Sequence, residues 1–164
     1  MEEDVYERIK QGYMELKGSD LKVSVLCDHI GITMSEFYQC YHDLDDLRGQ
    51  LQRETVREMS EYISSAMPDG FDINVYIDSG LDYIQSNIEL FEFSLFGSKD
   101  SAFMELWCKS LVKTLKKSTG CEDKLKLEMT AYMIIRGMAF VLSNNLFNDH
   151  GSLNQMASRA VSEL

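Results

Sequence analysis

The sequence predicts an all-α fold, on three observations. Apolar residues recur at three- and four-residue spacing along most of the chain, Pro68 is the only proline, and no segment alternates apolar and polar residues as a half-buried strand does. Residues 4–17 read as a first helix, with Val5, Ile9, Gly12, Tyr13 and Leu16 on one stripe and Lys17-Gly18 ending it. Ser19 is the expected N-cap of a second helix, which carries Val23, Leu26, Cys27 and Ile30 and stops at Gly31. Thr33-Met34-Ser35-Glu36 has the spacing of a capping box, in which a Thr and a Glu satisfy each other's free amides at a helix start. The third helix is short, with Phe37, Cys40, Tyr41 and Leu44 toward the core. A fourth begins at Asp43 or Asp45 and runs to about residue 66 along Leu47, Leu51, Thr55, Met59, Tyr62 and Ile63.

Met67-Pro68-Asp69-Gly70 is the clearest break in the helical pattern and separates two modules. Helices are expected over 72–90 and 99–118, with the short apolar piece FEFSLFG between them. A long helix follows over 122–147, and a last one over 151–164 with Leu153, Met156, Ala157, Ala160, Val161 and Leu164 in register.

Composition narrows the function. There is no apolar run of 18 residues and the amino terminus is acidic, so a cytoplasmic protein with no membrane partner is expected. The formal net charge of −11 works against non-specific nucleic-acid binding. Cys27, Cys40, Cys108 and Cys121 follow no disulfide framework and are expected as reduced, packed thiols.

Cys27, His29, Cys40 and His42 are the residue types of a tetrahedral zinc site, yet their spacing is wrong for one. Two residues apart on a helix, side chains point about 200° away from each other. The usual C-x₂₋₄-C and H-x₃₋₅-H intervals are absent. No metal ligand set and no cofactor is assigned. A glycine-rich phosphate loop, a Gly-x-Ser-x-Gly elbow and a His-Glu-x-x-His pair are absent too, and no enzyme activity is expected.

A helix, a short turn containing glycine and a capped second helix make a helix-turn-helix pattern. Within residues 4–54 this pattern resembles the N-terminal DNA-binding domain of TetR/AcrR-family transcriptional regulators. The matching features are Val23, Leu26, Cys27 and Ile30, the turn Gly31-Ile32-Thr33, Phe37-Tyr38 with Tyr41, and Asp45-Asp46-Leu47. The resemblance implies a three-helix helix-turn-helix head over 1–48 on a helical effector-binding and dimerisation body over 49–164. It implies a homodimeric, ligand-responsive regulator whose head binds an operator. The DNA-binding residues it implies are Thr33, Met34, Ser35, Glu36, Tyr38, Gln39 and His42, with Tyr38 on phosphate; Gln39 has the chemistry to read adenine. Residues 1–54 hold six cations against twelve acids, net −6, so weak operator affinity is expected. The alternative is a TetR-derived module that binds a protein or a small molecule and has lost DNA binding.

Two features of the body complete the reading. AYMIIRGMAFVL, residues 131–142, is apolar nearly all round, and the last helix carries small residues. Together they predict a four-helix dimer interface within about 122–164. Aromatic and methionine side chains predict an apolar pocket for a small effector, lined by Tyr83, Phe96, Phe103, Met104, Trp107, Met129, Tyr132 and Met133.

Overall fold

A computed structural model of the chain describes residues 2–16, 21–96 and 102–164, the side chains of residues 2, 3, 93, 95 and 96 excepted. The described residues are all-α, with nine helices and no strand. They are α1 (Glu2–Leu16), α2 (Val23–Ile30), α3 (Met34–Cys40), α4 (Leu44–Ser65), α5 (Ile73–Ser86), α6 (Ile88–Phe96), α7 (Ala102–Thr119), α8 (Lys124–Ser143) and α9 (Gly151–Ser162). None of them is long and apolar enough to cross a membrane.

Four starts are built as the residue types dictate. The Thr33 hydroxyl accepts from the Glu36 amide while the Glu36 carboxylate accepts from the Thr33 amide, closing the capping box of α3. Asp43, Asp72 and Asp123 cap α4, α5 and α8 in the same way, each carboxylate taking one or two free amides of the first turn. Alpha-2 starts at Val23 with Lys22 in the capping position and no side-chain bond; Ser19, expected there, lies outside the described residues.

Two hydrophobic cores form. The N-terminal core is made by Ile9, Tyr13, Leu26, Cys27, Phe37, Tyr41, Leu47 and Leu51. The C-terminal core begins at Val56, Met59 and Ile63 and gathers the inner faces of α5 to α9. Helix α4 belongs to both, so the change of core falls inside one continuous helix, between Leu51 and Val56. The Met67–Gly70 turn joins α4 to α5 within the C-terminal core, where Met67 and Phe71 both pack.

Three boundaries differ from expectation. The helix expected over 72–90 breaks at Asn87, which caps α5 with both its backbone and its side-chain amide donating to the Tyr83 carbonyl. The short apolar piece FEFSLFG, expected between two helices, is itself helical: its first six residues lie in α6. The helix expected to reach 147 ends at Ser143, because Asn145 turns the chain with φ at 53°, a left-handed conformation that asparagine tolerates. Phe147 then re-enters the C-terminal core from beyond the turn.

Candidate nucleic-acid interface

Helices α2 and α3 are joined by a turn that the backbone can make only with a residue tolerant of positive φ. Gly31 takes φ 68° and closes α2, and the Ile32 amide bonds back to the Cys27 carbonyl. The guanidinium of Arg8 on α1 donates to the Ile30 and Gly31 carbonyls, so a cation sits on the negative end of α2. Phe37 is fully buried and anchors α3, with the Tyr41 ring at 5.8 Å and the Tyr6 ring stacked on Tyr41 at 5.4 Å.

With Phe37 inward, the outward face of α3 carries Met34, Ser35, Tyr38 and Gln39. Met34 is 46% and Tyr38 52% exposed, too much for either to belong to the core. Of the seven residues the sequence assigns to DNA, the structure brings these four together on one solvent face. Thr33 and Glu36 are exposed but spoken for by each other: the Glu36 carboxylate also accepts from the Thr33 hydroxyl at 2.8 Å. The amide and hydroxyl of Thr33 hold that carboxyl below the usual carboxylate range. His42 lies past the end of α3, exposed, with its amide on the Asp46 carboxylate at 3.0 Å.

Beside this face lies a hollow of about 490 Å³ between the starts of α2, α3 and α4. Lys22, Ser24, Met34, Tyr38, Asp43 and Asp45 are among the residues that line it. The carboxylates are in structural use. Asp43 accepts from the Asp46 amide at 2.8 Å, and Asp45 pairs with Arg48 at 2.8 Å. Asp46 is held below the usual range by the His42 amide and then the Gln50 amide. Lys22 is exposed at the rim, while Lys10 is tied to Glu7 and Glu54.

The Cys and His residues of the apparent zinc set fall on different sides. Cys27 is buried, and burial pushes its thiol up. His29 faces outward onto Glu15 at 2.9 Å, Cys40 is half-buried and His42 exposed. Among the described residues no three metal-ligating side chains come together.

The residues expected to line an effector pocket separate into two places. Phe103 and Trp107 are fully buried; with Phe91 they form edge-to-face and tilted contacts at 5.7–6.1 Å, and Tyr83 meets Phe91 at 6.1 Å. Met104 and Met133 pack at the margin of this core. Met129 and Tyr132, 64% and 52% exposed, lie instead on the outer face of α8, and Arg136 stacks on and donates to Tyr132. The Phe96 side chain lies outside the described residues. Leu125 and Phe140 extend the exposed apolar stripe of α8, and Met156 is exposed on α9. Gly137 lets α9 approach, since a Cβ there would sit 2.3 Å from a Leu153 methyl.

Two features escaped the sequence reading. One is a polar clamp between α1 and α4, in which Glu54 accepts from the Tyr6 hydroxyl at 2.5 Å and from Lys10 at 3.1 Å. The other is the close approach of α2 to Gly12. Glycine on an apolar stripe was the signal for the second; nothing local signals the first. Compared with protein-family models and with curated proteins, the chain matches none.

Proposed function

We propose that this protein is a homodimeric, TetR-like transcriptional regulator that contacts operator DNA through α2, the Gly31 turn and α3, acting as a helix-turn-helix. The observation that supports this most is the outward face of α3. Met34, Ser35, Tyr38 and Gln39 stand clear of the core on a helix locked by its capping box, at the right size to enter a major groove. Tyr38 and Lys22, which share the neighbouring hollow, are the groups to meet phosphate. Dimerisation uses the exposed apolar stripe of α8, with Met156 of α9 beside it. A small apolar effector would enter near the aromatic group of Phe91, Phe103 and Trp107.

The test is fluorescence anisotropy with fragments from the gene's own upstream region at 50 and 200 mM salt. A sequence-preferring complex with a log–log salt slope of about −2 is expected, one Lys22 from each copy neutralising one phosphate. A second reading rests on Asp43 and Asp45 in the hollow: the fold is kept and the α3 face binds a protein partner instead. Absence of binding at 50 mM salt selects that reading.

A further inference from the structure

The side chains that α3 leaves free to touch base edges differ in chemistry from those of most major-groove readers. Guanine is read chiefly by Arg or Lys, whose paired donors match its O6 and N7. Helix α3 has neither, from Met34 to Cys40. The nearby arginines are engaged elsewhere, Arg8 on the end of α2 and Arg48 on Asp45. Lys22 precedes α2 and lines the hollow together with Tyr38, the pair proposed above for phosphate. Cytosine is read by a carboxylate accepting from its N4 amino group. The only carboxylate on α3, Glu36, accepts from the Thr33 amide and hydroxyl through one oxygen, which holds both residues in the cap at the helix start.

What remains is Gln39, Met34 and Ser35. A glutamine amide offers one donor and one acceptor side by side, the complement of adenine N7 and its N6 amino group. An exposed thioether chain offers only a weak acceptor and gains chiefly by covering the one apolar group in the major groove, the C5 methyl of thymine. Serine accepts either partner and discriminates little. Met34 opens α3 and Gln39 lies five residues further, about 140° round the helix and about 7.5 Å along it, so the two exposed side chains reach separate base pairs.

We infer that the half-site read by this interface is built on A·T pairs, with Gln39 on an adenine edge and Met34 on a thymine methyl, and with no guanine contact from α3. This rests on the DNA-binding reading above and adds to it the chemical class of the operator. It differs from a general preference for A·T-rich DNA, which arises from minor-groove width and stiffness and would be indifferent to the thymine methyl.

The experiment starts with selection from a randomised duplex library by the full-length protein at 50 mM salt, followed by anisotropy on the enriched duplex. Deoxyuridine is then placed at each thymine of the half-site in turn, removing one methyl and nothing else. We expect enriched half-sites centred on A·T pairs, and binding about fourfold weaker when the contacted methyl is removed. Met34→Ala should make the protein indifferent to that deoxyuridine. Gln39→Ala should lose about tenfold or more of discrimination at a separate A·T pair. Both side chains are exposed, and unchanged circular dichroism certifies the fold of each variant. Enrichment of G·C-centred half-sites, or equal affinity for every deoxyuridine duplex, overturns the inference while leaving DNA binding intact. Failure to retain any duplex at 50 mM salt overturns the DNA-binding reading and the inference with it.

Discussion

Replacing Gly12 by alanine sets two effects of known size against each other. Gly12 lies inside α1, where alanine is favoured over glycine by about 1 kcal/mol through helix propensity. A Cβ at this position, however, would stand 2.2 Å from the Ile30 Cγ2 and 3.3 Å from a Leu26 methyl. Carbon atoms rest at about 3.5–4.0 Å, so the contact requires a shift of roughly 1.3–1.8 Å. Ile30 yields poorly: a β-branched side chain on a helix has one favoured rotamer, and its carbonyl is held by Arg8. Overpacking of this kind costs about 1–3 kcal/mol. A contact this short falls in the upper half of that range, about 2–3 kcal/mol, so after the propensity gain Gly12→Ala should lose about 1–2 kcal/mol, or about 2–8 °C in Tm. Gly49→Ala is the control, since its Cβ meets only the mobile end of Arg53 at 3.2 Å. It should gain about 0.5–1 kcal/mol. Thermal and guanidinium unfolding followed by circular dichroism measures both. If the two variants are stabilised alike, the close packing of α1 on α2 is wrong.

Thr33→Ala should destabilise by about 1 kcal/mol in chemical denaturation, with Thr33→Ser restoring most of it, because only the hydroxyl caps α3. Burial pushes the Glu54 carboxyl up, but the Tyr6 hydroxyl and Lys10 ammonium together outweigh it and leave the group lowered. Its contribution is thus present at neutral pH and lost as pH falls below about 4.5 and through the lowered value, so the Tm of Glu54→Gln should fall less than that of wild type between pH 6 and 3. Glutamate at both Met129 and Phe140 should give a monomer in sedimentation velocity at micromolar concentration. Emission from Trp107, the single tryptophan, should stay unchanged because it is buried in the core away from that face; a dimer of unaltered affinity would place the interface elsewhere.

The all-α class and most helix starts were legible because their causes are local. A capping box, an N-cap aspartate and a glycine at positive φ act within four residues, and α3, α4, α5 and α2 show them. Helix ends were less legible where apolar register runs through a turn. Leu142, Leu146 and Phe147 keep helical spacing across Asn144-Asn145, and only the left-handed asparagine separates them. The effector-pocket residues divided for a related reason. Helix α8 is apolar on both sides, so periodicity alone does not tell Met129 and Tyr132, which face out, from Ile134, Ile135 and Met138, which face in. The Tyr6–Lys10–Glu54 clamp joins residues 44 and 48 positions apart, and no local pattern encodes it.

The deficit of positive charge around α3 looks different once each carboxylate has an address. Glu36 and Asp43 sit at the starts of α3 and α4, where each helix presents roughly half a positive charge. Asp45 is paired with Arg48 and Asp46 with backbone and Gln50 amides. These acids repel DNA less than their formal count implies, because much of their field is cancelled within a few ångströms. The same arrangement has a second consequence. Helix starts are the usual places to bind phosphate oxygens, and here the chain's own carboxylates already occupy them. Under the proposed DNA-binding reading, the sequence-independent part of the affinity would be weakened more than the base-reading part, since Met34 and Gln39 are exposed. If this interface binds an operator, it should do so with modest affinity, a shallow salt dependence and a high ratio of specific to non-specific binding. Replacing Asp45 by asparagine tests the balance: affinity for random duplex should rise proportionally more than affinity for the operator. An equal or larger rise for the operator would mean that Asp45 acts on base readout and not on the phosphate backbone.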